Sequence, residues 1–460
     1  MRKRYILCAL CALTIGLCMT AVLVACRGGS GEETSAGSTT GSDEPIGEFT
    51  EPEDSETVAG ESVTETVAPP DSETEEPLTA EPGHAASEAG AKTADILLAT
   101  DFGVVGDGVT DDGPAISEAV RAAVERQATL RFEAGKTYYV GTATNTAAVF
   151  RSPFSMKDAS GVTLDGQGAI FRMKPGLSFF ALAGCKDIRL ENCVFDMAES
   201  VYLVGRVESV DGKTVAFSVD REPYLASYDF TAVNGFAIRY NEGVQGRPHR
   251  FLRAMERTGE RQVKVTYASS PDCARGDLVF LPNPGIGHAY SEAIYIGGCG
   301  GALVFENITI RQAPSFIMAI KGNNAEMYFE NVDMLPDTED GREIHMVSWR
   351  DGYHCKDNRL PIHWNECDVG VLYDDVFNIS NTLGYITEVA DDNVFTAVNY
   401  ELWLQGRRIS PGYRIGDVVD VYDLGNGAFC GTGTVRRVVN NADGSSTVTL
   451  EYGETLNNVK

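Results

Sequence analysis

Gly298–Ile310 reads GCGGALVFENITI, and Asn323–Met334 reads NNAEMYFENVDM. Each phrase opens on a polar turn and continues as a strand of alternating apolar residues. Each then places a glutamate and an asparagine side by side and closes on a second short strand. Asn307 and Asn331 are 24 residues apart, about the length of one coil of a β-solenoid. Two more phrases share the pattern: GCKDIRLENCVF at 184–195 and NRLPIHWNECDV at 358–369. Self-similar phrases separated by unequal gaps are what stacked coils carrying insertions produce. An asparagine recurring at one corner predicts side-chain amides bonded along the stack, a structural role.

The gaps have a character of their own. Residues 204–282 alternate apolar and polar positions between DG and GE turns, the pattern of antiparallel hairpins. Residues 404–452 do the same, and ARGDLVFLP in the first block resembles RIGDVVDVY in the second. The two are expected to be copies of one small β-barrel, inserted between coils assigned to 95–203 and 283–403. If the second block is an insertion, residues 453–460 begin a continuation of the stack.

The N-terminal part has no globular pattern. MRKR precedes an apolar run ending at Leu23-Val24-Ala25-Cys26, so residues 1–25 read as a signal peptide. The ending resembles the bacterial lipobox, which makes Cys26 the expected acylated residue. The folded part should then lie outside the cytoplasm, tethered to a membrane of the bacterial envelope. Residues 26–94 are rich in Ser, Thr, Glu, Gly and Pro, with about 17 acids against 2 bases, a composition that predicts a disordered tether. The whole chain of 460 residues carries a formal charge of -28, which argues against a nucleic-acid partner. Of its 11 cysteines, the seven beyond Cys26 show neither a disulfide framework nor zinc spacing.

Ordered structure is expected from about residue 95. DFGVVGDGVTDD, Asp101–Asp112, leads into a helix whose apolar face is Ala115, Ile116, Ala119, Val120, Ala123 and Val124. Asp112 is the expected N-cap and Pro114 suits the first turn. Asp107, Asp111 and Asp112 are expected to serve turns and caps rather than a metal. This motif resembles the opening of the pectate-lyase-like superfamily. The resemblance implies an all-β, right-handed parallel β-helix whose N-terminal end is covered by that helix.

One window concentrates chemistry: HMVSWRDGYHCKDNRLPIHWNECDVGVLYDDVFNIS, residues 345–380. Asp351 and Asp374 are 23 residues apart, again about one coil, so Asp351, Asp374 and Asp375 should gather on neighbouring coils. Mutual repulsion among carboxylates raises one pKa, which lets that group hold a proton for acid/base work. Glycoside hydrolysis needs such a group beside a second, ionised carboxylate. Trp349, next to the acids, is a candidate sugar platform. Asp374 and Asp375 read as part of a buried strand, where a local bend is needed for both to face one side.

The pairing of DGYH with DDVFN is similar to the signature of glycoside hydrolase family 110, the bacterial α-1,3-galactosidases. That resemblance implies β-barrel insertions and metal-independent, inverting removal of terminal α-1,3-linked galactose. It assigns catalysis to Asp351, Asp374 and Asp375, and substrate-holding or acid-orienting roles to His354 and Asn378. No cofactor is expected. Two other readings stay open: a pectate-lyase-like polysaccharide lyase using Arg350, and a non-catalytic glycan-binding lipoprotein.

Overall fold

The computed structural model describes residues 95–452, apart from 148–149, 220–235, 242–243, 246–249, 272, 283–291, 338–345, 349, 371 and 373. The proposed signal peptide, tether and continuation (1–94 and 453–460) lie outside the described residues. Among the described residues, no helix is long and apolar enough to cross a membrane.

Apart from the insertion Tyr202–Pro282, the described residues up to Leu383 form a parallel β-helix. Its first sheet takes strands in chain order: Ile96–Leu98, Thr129–Arg131, Ser160–Met173, Lys186–Met197, Gly300–Ile310, Asn324–Asp333 and Ile362–Asn365. Its second sheet runs from Phe154–Lys157 through Phe180–Ala183, Glu292–Gly297, Phe316–Lys321 and Tyr353–Lys356 to Phe377–Ser380. All these neighbours pair in parallel. From Thr129–Arg131 onward each turn of the chain therefore adds one strand to each sheet, with the right-handed crossover that twisted parallel strands favour.

The corner asparagines explain how one long strand serves two faces. Asn192, Asn307 and Asn331 all have positive φ (56°, 52° and 52°), so each kinks its strand at the same level. Asparagine tolerates this left-handed conformation better than most residues. Their amides form the expected ladder. Asn331 Nδ2 donates to Asn307 Oδ1 (2.9 Å), Asn307 Nδ2 to Asn192 Oδ1 (3.1 Å), and Asn192 Nδ2 to Asp165 Oδ1 (3.0 Å). Inside the coil, Phe305 stacks on Phe329 at 4.9 Å between centroids, and the exposed ring of Phe377 continues the stacking on Tyr353 at 5.2 Å. Trp364 packs among Phe329, Tyr353 and Phe377, so it is a core residue.

The helix Gly113–Arg126 buries Ile116, Ala119, Val120 and Ala123, as its periodicity predicts. Asp112 stands at its N-cap, as expected, but its side-chain chemistry differs. The Asp112 side chain does not cap the helix; it accepts from the backbone N–H of Val105 (2.7 Å) and Gly106 (3.0 Å), fastening the preceding turn. Two backbone donors from a glycine-containing turn compete successfully for the carboxylate.

Tyr202–Pro282 is antiparallel. Phe236–Asn241 pairs with Arg250–Arg257 on one edge and with Leu278–Pro282 on the other, which closes the sheet into a barrel. Val207, Phe217, Val263, Val265, Val279 and Leu281 fill it. Gly205 is required there, because a Cβ would stand 2.0 Å from a ring carbon of Phe217.

Gly384–Tyr452 forms a unit of its own. Its sheet has five antiparallel strands in the order Gly384–Asp391, Val394–Asn399, Ser446–Tyr452, Phe429–Asn440, Val418–Tyr422. Two differences from the expected block at 404–452 stand out. The sheet starts at Gly384, because the hairpin 384–399 pairs through Val394–Asn399 with Ser446–Tyr452. Among the described residues its edge strands do not pair with each other, so it is an open sheet rather than a barrel.

Candidate active site

The strand Tyr353–Lys356 organises the site. It pairs on one side with Phe316–Lys321 and on the other with Phe377–Ser380. The register sets Ala319, His354 and Asn378 opposite one another, so they share the outer face of the sheet. His354 and Asn378 are both half-buried.

Asp351 lies just before this strand and is 2 % exposed. Its backbone is clamped by both neighbouring coils. Ile317 N–H donates to Asp351 O (3.0 Å), and Gly352 N–H donates to Asp375 O (2.9 Å). The coils come close here: a Cβ at Gly352 would lie 2.9 Å from Val376 O and 3.1 Å from Leu372 Cδ1. Only glycine allows that approach, and the approach is what carries Asp375 alongside Asp351.

Asp374 and Asp375 do not belong to a buried strand, as the apolar residues around them suggest. The strand begins at Phe377, and residues 374–376 form an exposed bend. Val376 and Phe377 are exposed as well. The bend frees the pair from strand alternation, so both carboxylates turn toward Asp351. One oxygen from each of Asp351, Asp374 and Asp375 lies within 4.8 Å of the other two.

Two neighbouring side chains govern the charge of this cluster. His354 Nδ1 sits 2.7 Å from Asp351 Oδ2. Arg350 Nε stands 3.8 Å from Asp374 Oδ2, while its guanidinium carbon lies 4.3 Å from the centre of the Phe316 ring. Partial desolvation, with the side chain still 41% exposed, pushes the Asp374 carboxyl above its ordinary range. The charge of Asp351 and, more weakly, that of Asp375 add to the rise, whereas Arg350 opposes it. Asp374 is therefore the carboxyl prepared to hold a proton.

The cluster is tighter than inversion alone predicts. Inverting pairs stand about 6.5–9.5 Å apart to leave room for water. Side chains rising from adjacent coils start only about 4.8 Å apart, which crowds them. The three carboxylates are near enough to share a metal ion, but the Arg350 guanidinium already faces the group and competes with a cation. Acid/base work is the chemistry this arrangement suits.

Trp349 and Cys26 lie outside the described residues. His363 belongs elsewhere: it stacks on Tyr328 at 4.7 Å and meets Glu326 at 3.0 Å on the outer face of the first sheet. Sequence reasoning missed Phe316, which contacts both Arg350 and His354. It also missed Ser348, which accepts from Arg350 N–H (3.0 Å) and donates to Ser315 O. Aligning FIMAIKG with DGYHCKD as consecutive coils exposes Phe316, but the chain between them is longer than one regular coil and hides the match.

No protein-family model matches the chain, and no curated protein is similar to it. Remote likeness to solved structures exists. A protein from Parabacteroides merdae ATCC 43184, provisionally described as a glycosyl hydrolase, is 12% identical, over 63% of this chain and 94% of its own, with a TM-score of 0.25. The tailspike protein gp49 of Pseudomonas phage LKA1 is 12% identical over 61% of this chain and 55% of its own (TM-score 0.20). The A-module of the Azotobacter vinelandii mannuronan C-5 epimerase AlgE4 is 12% identical over 61% and 77% (TM-score 0.21). The chain's own strand pairings define the fold, and its own side chains the site.

Proposed function

We propose that the protein is a glycoside hydrolase that removes a terminal α-1,3-linked galactose from glycans. The observation that carries this reading is the convergence of Asp351, Asp374 and Asp375 within 4.8 Å on the β-helix flank. The similarity of DGYH and DDVFN to family 110 supplies the sugar and the linkage. In this reading Asp374 keeps its proton and gives it to the departing glycosidic oxygen. Asp375, exposed beside it, takes a proton from the attacking water. Asp351, gripped by His354, holds the charge that keeps Asp374 protonated. Inversion requires the exposed Asp375 side chain to swing outward and admit water. An inverting enzyme releases β-galactose first from an α-galactoside, which proton NMR reads directly. α-Galactose first would overturn inversion and leave hydrolysis standing. Activity unchanged by a chelator is expected, and its loss would refute a metal-free mechanism.

The lipid anchor is part of the proposal. Radiolabelled palmitate should enter the full chain in a bacterial host and be lost in Cys26→Ser. Equal labelling of the variant would remove the anchor from the account.

A further inference from the structure

Arg350 and His354 come from different sides of Asp351 in the chain, yet one uncharged ring touches both. Phe316 lies in the preceding coil, half-buried, two residues before the register partner of Tyr353. Its ring face meets the Arg350 guanidinium at 4.3 Å, and its edge contact with the His354 ring is 5.0 Å between centroids. A guanidinium over a ring face at this distance is attracted by the ring's quadrupole. Arg350 Nε meanwhile stays 3.8 Å from Asp374, beyond the roughly 2.7–2.9 Å of a charge-assisted hydrogen bond.

We propose that Phe316 is a positioning residue that holds Arg350 off Asp374 and steadies the His354 ring against Asp351. The inference rests on the hydrolase reading for its purpose but not for its test. Without the ring, Arg350 closes on Asp374 and fixes it as a carboxylate, which ends its use as an acid. The groups facing Asp374 are Asp351, Asp375 and Arg350. Glu292, which sits in register with Phe316 one coil earlier, is already paired with Lys321 at 3.0 Å.

The test is NMR of the full chain in three forms: native, Phe316→Leu and Phe316→Tyr. In the native protein the Arg350 side-chain protons should be shifted upfield by the ring current. Phe316→Leu should abolish that shift and lower the Asp374 titration midpoint, read from carboxyl-labelled aspartate, by about one unit. Phe316→Tyr keeps a ring and should restore both. If galactoside hydrolysis is observed, the alkaline limb of kcat should move down by the same amount in Phe316→Leu. Native Arg350 protons without a ring-current shift would overturn the inference, and this holds even if Phe316→Leu fails to fold. An unchanged Asp374 midpoint in a folded Leu variant would overturn it as well. Should the titrations behave as expected while no glycoside is cleaved, the hydrolase reading falls and the positioning role stands.

Discussion

At the scale of the residue, Asp374 carries the account's sharpest consequences. Its carboxyl is raised chiefly by burial and by the charge of Asp351. A general acid must be protonated, so activity should fall as pH rises through that raised pKa. Asp374→Asn and Asp351→Asn should each cost about 10²–10⁴-fold in kcat, measured on an activated galactoside. Stability should move the other way. A folded-state pKa above the unfolded one favours folding at low pH, and that contribution is lost as pH rises through the folded value. Above that value the native protein bears a charge that its surroundings disfavour. Asp374→Asn should therefore melt about 1–2 °C higher there, a small gain because the side chain is 41% exposed. The gain should vanish below the ordinary carboxylate pKa of 3.8. A variant that melts lower than the native protein on the alkaline side of the Asp374 titration would contradict the assigned sign.

At the scale of the element, the asparagine ladder and the strand beside the aspartate cluster were legible to different degrees. Asn307 and Asn331 repeat with one-coil spacing, and both amides and φ angles follow from that corner. Asn307→Ala breaks two ladder bonds and puts a Cβ residue with no side-chain bond at φ 52°, so it should cost about 1–2 kcal/mol in denaturant unfolding. A neutral result would show that water replaces the ladder fully. Around Asp374, apolar neighbours suggested a buried strand, whereas Gly352 decides the local geometry by letting two coils touch. Such a close approach depends on a partner coil that sequence spacing does not name. The start of the second sheet at Gly384 was hidden for a related reason: GYITEVA and VFTAVN alternate as a coil strand does, and only pairing with Ser446–Tyr452 distinguishes them. Phe316 belongs to this class too, since its meaning lies in what the next coil sets beside it.

At the scale of the molecule, the β-helix explains why distant residues share a site. Each coil is held by in-register pairing outside and by aromatic stacking inside, so a side chain's place is fixed by its coil and its level. Phe329, fully buried between Phe305, Trp364 and Tyr353, ties four strands together. Phe329→Ala should cost about 3–5 kcal/mol, visible as a lower denaturation midpoint. The central claim is hydrolysis at the three-aspartate cluster. Its most direct test is to incubate the full chain with galactosyl-α-1,3-galactose and follow the products by proton NMR. The account predicts free galactose, β-anomer first, with release slowed about 10²–10⁴-fold in Asp351→Asn and Asp374→Asn. Undiminished release by both variants, or no release by a folded native chain from any α-galactoside tried, would contradict it.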